Sequence, residues 1–300
     1  MGWPGPGFTG KKKEDIMLET GRAAVRLVKL ASVVLLAAAA AAAFSPGALA
    51  QAGNVKLEWI TWSFFRITSP AGKVIITNPF ITGNPDAAAG IRLEEVGTPN
   101  LILVTDAHRD EVGDAVAIAK ASGARIITPS FEFGTLLTGW GVPEAQVMRR
   151  NPGGRFAWEG ITIRVVGSVH GSGGTDPGSK FPVYGGIAAG FVVTFENGYT
   201  LYFMGSSAAT QDMALWAELY KPDAMIFLMS GFTEPLDAAT AIKLVAGKSP
   251  NLKTLIPHHQ RVAPPPGAIT VADVRKALDS MGVSIPITSL APKQSVELKK

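Results

Sequence analysis

The chain has 300 residues, 47% of them hydrophobic, with 33 glycines and 21 prolines, which fits a compact globular protein and excludes disorder and collagen-like structure. The formal net charge is +4 without a basic face, so nucleic acid is not an expected partner. Because the chain has no cysteine, disulfides, thiolate metal sites and cysteine nucleophiles are excluded, and any metal ion must be held by His, Asp and Glu.

The first 50 residues differ in composition from the rest. Six basic residues precede an uncharged run from Leu30 to Phe44, and a small-residue pattern ends at Ala50. This order is typical of a secretory signal peptide, so residues 1–50 are predicted to be removed and the mature protein to be periplasmic or secreted. The apolar run is shorter than the ~20 residues that span a bilayer, so no stable membrane anchor is expected, with a retained single-pass anchor as the alternative.

Residues 51–300 are predicted to form one α/β domain. Strands are assigned to short apolar runs, and helices to apolar residues at three- and four-residue spacing. The predicted strands are 55–67, 73–77, 100–105, 125–128, 155–158, 161–166, 190–195, 200–204, 224–229, 254–256 and 295–298. The predicted helices are 112–121, 131–138, 211–220, 236–247 and 271–281, with loops at 82–98 and 167–178. Strands precede helices in each half, which predicts two sheets between helices.

The four histidines all follow strand-like runs. They are His108, His170, His258 and His259. A single histidine at a strand end is usually a hydrogen-bonding group, but strand ends meet at one edge of a sheet, so all four can converge. Three carboxylates, Asp106, Asp110 and Glu111, surround the first histidine, and imidazole with carboxylate is a ligand set for divalent cations.

The segment from Ile102 to Asp114 resembles the metal motif of the metallo-β-lactamase superfamily, whose loop reads H-x-H-x-D-H. Further segments keep the family order, and together they cover nearly all of residues 55–300. They are Ser168–His170, Tyr184–Phe191, Met204–Ser206, Asp212–Asp223 and Ile256–His259. The resemblance is greatest to the branch of ascorbate-6-phosphate lactonase-like hydrolases. It implies a four-layer αββα sandwich with the metal site between the sheet edges.

The resemblance also implies which residues bind metal. The matching positions are Asp106, His108, Asp110, Glu111, His170 and His259. Asp106 and Glu111 replace histidines of the family motif, and Ser206 replaces the aspartate that bridges two metal ions. Upstream, Asn78 replaces an aspartate, and the Gly-His pair that often precedes the second strand is missing. We expect the six side chains to converge in one cleft with Ser206 at its floor.

These replacements make the predicted site richer in oxygen and more anionic. Such a site favours one divalent ion, zinc or manganese, with iron as a further candidate, because Ser206 cannot balance the charge of two. The expected mechanism uses a metal-bound hydroxide as nucleophile, oriented or deprotonated by Asp110. His258 is predicted to donate a proton to a leaving group, or alternatively to be a supporting or surface histidine.

Two functions follow from the sequence. The first is an exported metal-dependent hydrolase that acts on a small-molecule ester, lactone or phosphoester. The alternative is a periplasmic protein that has lost catalysis on this scaffold and serves as a ligand-binding or interaction module. Three retained histidines favour the hydrolase, whereas Ser206 and Asn78 favour the binding module. The substrate and the oligomeric state are not defined by the sequence.

Overall fold

The computed structural model describes residues 1–2, 53–86, 90–175, 179 and 181–300. The elements below all belong to the unit Ala50–Lys300. The predicted signal peptide lies almost wholly outside the described residues and stays a prediction. Within the described ranges, every helix is too short or too polar to cross a bilayer.

The first sheet has seven strands in the order β15-β1-β2-β3-β4-β5-β6. Their bounds are β1 Val55–Thr61, β2 Phe64–Thr68, β3 Val74–Thr77, β4 Leu101–Leu103, β5 Arg125–Thr128, β6 Val147–Arg149 and β15 Ser295–Leu298. Strands β15 to β3 pair antiparallel, whereas β3 to β6 pair parallel. The parallel strands are short apolar runs such as Leu-Ile-Leu in β4, as expected of strands covered on both faces.

The second sheet has six strands in the order β14-β13-β12-β11-β8-β7. Their bounds are β7 Arg155–Trp158, β8 Ile161–Gly167, β11 Ala189–Thr194, β12 Thr200–Phe203, β13 Ala224–Leu228 and β14 Thr254–His258. Only β12, β13 and β14 pair parallel. A separate two-stranded ribbon joins β9, Gly173–Thr175, to β10, Pro182–Tyr184.

Six α-helices complete the described domain. They are α1 Arg109–Val112, α2 Ala115–Ser122, α3 Phe131–Gly139, α4 Asp212–Tyr220, α5 Pro235–Ala246 and α6 Val271–Ser280. Their starts follow known capping chemistry: α5 has proline in its first turn, and Thr270 and Asp273 form a capping box at α6. Short 3-10 turns cover Leu93–Val96 and Glu144–Gln146.

Three layers of buried side chains hold these elements together. The central layer lies between the sheets and joins residues such as Leu57 and Leu103 to Phe191 and Leu201. A second layer packs α4, α5 and α6 against the outer face of the second sheet, and a third packs α2 and α3 against the first sheet. The order is therefore helix, sheet, sheet, helix, and the predicted αββα sandwich is confirmed.

Most predicted elements are present, with four main differences. The predicted helix 112–121 is divided into α1 and α2 at Gly113, whose φ is +45°. The predicted strand 55–67 is a hairpin, because the chain turns at Trp62, whose φ is +44°. Strand β6 was not predicted, since Val147–Arg149 is too short for a periodic signal. The predicted loop 167–178 contains β9, which pairs with β10 rather than with either large sheet.

The carboxyl ends of four strands bring the polar segments together. The chain after β3 carries Asn78, the chain after β4 carries the loop to α1, and the chain after β12 carries Ser206. His258 ends β14, and His259 follows it. This edge of the sandwich is where the chemistry predicted from the sequence collects, in keeping with ligand sites at the carboxyl ends of parallel strands.

Candidate metal centre

Asn78 fixes the start of the loop between β4 and α1. Its Nδ2 donates to Thr105 Oγ1 at 3.0 Å, and its Oδ1 accepts from the Thr105 backbone N at 3.0 Å. An amide side chain both donates and accepts, whereas a carboxylate at this position would only accept. The asparagine that departs from the family pattern therefore ties the end of β3 to the first residue of the metal loop.

The first candidate ligand group consists of Asp106, His108 and His170, whose ligand atoms lie within 4.8 Å of one another. Asp106 is fully buried, and its Oδ1 accepts from the backbone N and the Nδ1 of His108, both at 3.0 Å. The hydrogen bond that His108 donates to Asp106 raises the pKa of His108. With Nδ1 engaged in this way, Nε2 is the His108 atom left for a metal ion.

The second candidate ligand group consists of Asp110, Glu111 and His259, again within 4.8 Å. Glu111 is buried, and its Oε2 accepts from Ser63 Oγ at 2.7 Å. Its Oε1 accepts from Ser206 Oγ at 2.8 Å and lies 3.2 Å from His259 Nε2. Ser63 carried no sequence signal, because a serine between two strands has no distinguishing pattern.

Glu111 and Ser206 together keep a negative charge at the site. Matching the family motif one position at a time would count that charge as lost at residue 206. The resemblance places histidine at 111 and aspartate at 206, but here the carboxylate is on 111 and the hydroxyl is on 206, in direct contact. The negative charge therefore remains beside His259 and is carried by α1 instead of by the end of β12.

His258 lies behind His259 and does not line the cleft. Its ring is fully buried, with Nε2 at 3.1 Å from the Gly205 carbonyl O and Nδ1 at 2.9 Å from His259 Nδ1. A ring with both nitrogens engaged and no exposed surface has no contact with substrate. This burial favours the alternative prediction for His258, a supporting histidine, over a proton donor to a leaving group.

The hydrogen-bond chain defines how His258 orients His259. Burial holds the pKa of His258 well below its usual value, so the ring is neutral. A carbonyl oxygen only accepts, so Nε2 of His258 carries the proton and its Nδ1 is a bare acceptor. His259 Nδ1 must then donate to it, which leaves Nε2 of His259 directed at Asp110 and Glu111, where a ligand nitrogen is needed.

The charges of the second group depend on one another. Burial would lower the pKa of His259, but Glu111 and Asp110 raise it to about 10. Burial would raise the pKa of Asp110, but the hydrogen bond with His259 gives a net lowering. The two carboxylates thus favour a positive charge beside them.

Among the residues that the structure describes, no lysine or arginine pairs with Asp106, Asp110 or Glu111. Arg109, although inside the metal loop, is exposed, and its guanidinium lies over the Phe80 ring at 5.9 Å from the centroid. Buried carboxylates without a permanent cationic partner are costly unless a cation joins them. The donor set therefore fits a divalent metal ion.

A cleft of about 800 Å³ opens over both ligand groups. Five of the six predicted metal-binding side chains line it together with Ser206, and Asp106 lies beneath His108. The backbones of Trp62 and His259 both have positive φ, +44° and +57°, and the His259 N donates to the Trp62 O at 3.0 Å. Such backbone strain in non-glycine residues is concentrated at functional sites.

Comparisons with known proteins define the class. Residues 74–277 match the model of the β-lactamase superfamily domain, so the chain belongs to this superfamily. A solved structure described as a novel metallo hydrolase, Igni18 from the archaeon Ignicoccus hospitalis, has the same fold, with a TM-score of 0.68 and 24% identity. The match covers 82% of this chain and 99% of that one.

Within the superfamily, the chain belongs to the UPF0173 metal-dependent hydrolase family. A member from Cupriavidus taiwanensis is 32% identical over 73% of this chain and 83% of its own length. A member from Myxococcus xanthus is 34% identical over 82% of this chain and 85% of its own length. The superfamily predicted from the sequence is thus confirmed, whereas the ascorbate-6-phosphate lactonase-like branch stays a prediction.

Proposed function

We propose that the protein is an exported metal-dependent hydrolase that cleaves an ester, lactone or phosphoester of a small molecule. The observation that carries this proposal is the pair of ligand groups in one cleft, in which buried carboxylates have imidazoles as partners and no lysine or arginine from the described part of the chain. The names of the relatives from Cupriavidus taiwanensis and Myxococcus xanthus, both metal-dependent hydrolases, support it.

We assign one tightly held divalent ion to Asp110, Glu111 and His259. This group offers two carboxylates and one imidazole, against one carboxylate and two imidazoles in the group of Asp106, His108 and His170. The greater negative charge favours the first ion there, and Ser206 adds no charge for a second. Oxygen-rich ligands suit zinc or manganese, with iron as the third candidate.

A divalent ion held by these residues would supply Lewis acidity in the cleft. Asp110 is about one-third exposed toward the cleft, so its carboxylate orients the attacking water and accepts its proton. Glu111 is held by Ser63 and Ser206 and keeps its orientation throughout. His108, which is half-buried, and His170, which is exposed, line the same cleft and are assigned to contact an oxygen of the substrate.

Metal analysis with matched variants tests the proposal. The mature protein, purified after equilibration with zinc, manganese or iron, should retain about one ion per chain, and His259→Ala should retain none. His170→Ala should keep the ion but lose ester and lactone hydrolysis, because it removes a side chain that we assign to substrate binding rather than to the ion. Arg275→Gln, at a residue that does not line the cleft, is the control. Wild-type protein that retains none of the three metals would overturn the catalytic proposal in favour of a binding module.

A further inference from the structure

Arg261 lies two residues after His259, and its side chain is held in one orientation by Asp86. The Arg261 Nε donates to Asp86 Oδ2 at 2.8 Å, and one Nη donates to Asp86 Oδ1 at 3.4 Å. Asp86 is buried and also accepts from Trp62 Nε1 at 2.8 Å and from the Val262 N at 3.3 Å. Four donors therefore fix the carboxylate that orients the guanidinium.

Trp62 connects this guanidinium to the metal centre. The Arg261 Cζ lies over the Trp62 ring, 5.0 Å from its centroid, and the Trp62 ring packs against the His259 ring at 5.8 Å. All three side chains line the cleft that contains both ligand groups. The stacking holds the guanidinium plane beside the ligand residue and reduces the freedom that Arg261 would lose on binding a ligand.

Part of the guanidinium remains available. Arginine has five N–H donors, of which Asp86 receives two, and the other three have no acceptor among the described residues. The side chain is about one-third exposed. Within the described part of the chain, Arg261 is also the one lysine or arginine that lines this cleft. The remaining edge has the geometry that recognises a carboxylate or phosphate by paired hydrogen bonds.

We propose that Arg261 binds an anionic group of the substrate, a carboxylate or phosphate distant from the bond that is cleaved. The inference rests on the proposed hydrolase function and narrows its substrates to anionic esters or lactones. The alternative is that Arg261 only neutralises buried Asp86. Neutralisation would be equally served by lysine and would give no preference among substrates, so the two roles separate in experiment.

Three p-nitrophenyl esters with the same scissile bond test the inference: acetate, monosuccinate and 3-phosphonopropionate. The metal-loaded wild-type protein should prefer the two anionic esters, and the better of them identifies carboxylate or phosphate as the group bound. Arg261→Gln should lower the ratio of kcat/KM for that ester to kcat/KM for acetate by about 10- to 100-fold, as loss of a charge-assisted hydrogen-bond pair implies. Arg261→Lys should lower it less, and Arg275→Gln, which removes another partly exposed and ion-paired arginine, should leave it unchanged.

A binding measurement without hydrolysis separates this inference from the proposed function. In metal-free protein labelled with ¹⁵N, the indole signal of Trp62 should shift with monomethyl succinate or methyl 3-phosphonopropionate, because its N–H shares Asp86 with Arg261. The shift should be lost in Arg261→Gln. Failure of wild-type protein to hydrolyse any of the three esters overturns the ester-hydrolase part of the proposed function, whereas identical Trp62 titrations in wild type and Arg261→Gln overturn the role of Arg261.

Discussion

Two conservative substitutions of His258 distinguish its two hydrogen bonds. Asparagine places a side-chain oxygen near the position of Nδ1, so His258→Asn retains an acceptor for His259 but loses the donor to the Gly205 carbonyl O. Glutamine places an amide nitrogen near the position of Nε2, so His258→Gln retains that donor but loses the acceptor. Both variants have similar polarity and remove the same buried ring, which makes them matched controls for each other.

The expected effects differ in kind. Loss of the partner that orients a ligand histidine typically weakens metal binding 10- to 100-fold, or about 1.4–2.7 kcal/mol, and we expect this of His258→Gln. His258→Asn should bind metal nearly as wild type does. It leaves the buried Gly205 carbonyl O without its donor, which should lower the free energy of unfolding by about 1–3 kcal/mol.

Competition with a chelating dye measures the metal affinity, and urea unfolding of the metal-free protein measures stability. Ile256→Val, in the same strand, should lose about 0.5–1.5 kcal/mol of stability without any change in metal affinity. Equal metal affinities for His258→Asn and His258→Gln would refute the assignment of the proton along the chain from Gly205 to His259.

Three further predictions concern proton release, charge and export. Because the pKa of His259 is raised to about 10, metal binding at pH 7 must displace its proton. The affinity for the metal ion should therefore rise up to tenfold per pH unit from pH 7 toward 10. Competition titration measures this affinity, and calorimetry in buffers of different ionisation enthalpy measures the proton released. Ser206→Asp places a second carboxylate against Glu111, so the metal-free protein should unfold at lower urea concentration while metal analysis finds more than one ion per chain. Amino-terminal sequencing of exported protein should begin at Gln51; an intact leader on membrane-bound protein would contradict cleavage.

The fold was largely accessible from the sequence because its strands are apolar runs bounded by clear turns. Runs such as Ala224–Leu228 have every residue buried, and the Asn-Gly turn at 197–198 separates two paired strands. The candidate metal ligands could be proposed for a related reason, since each follows an apolar strand-like run and the ends of these strands meet at one edge of the sandwich. The local sequence pattern was enough to predict a residue's position when that position depends only on the strand or helix that carries the residue.

Roles that depend on distant partners were not accessible. Asp86 joins Trp62 and Arg261, which are 24 and 175 residues away along the chain, and none of the three belongs to a motif. The buried position of His258 was not accessible for the same reason, because it depends on contacts with the Gly205 carbonyl O and with the ring of His259, whose backbone leaves the extended conformation at φ +57°. Of the two neighbouring histidines, His259 lines the cleft.

The contact between Glu111 and Ser206 changes how the altered ligands should be understood. Considered one position at a time, Ser206 is a missing bridging carboxylate and Glu111 is a missing imidazole. In the structure the two residues are hydrogen-bonded at 2.8 Å, and the carboxylate of one is placed where it meets both His259 and the hydroxyl of the other. The negative charge is therefore carried by residue 111 instead of residue 206, but it stays in the same cleft. Three buried or half-buried carboxylates beside three imidazoles are costly to keep without a bound cation, so this arrangement fits an altered metal site better than a lost one.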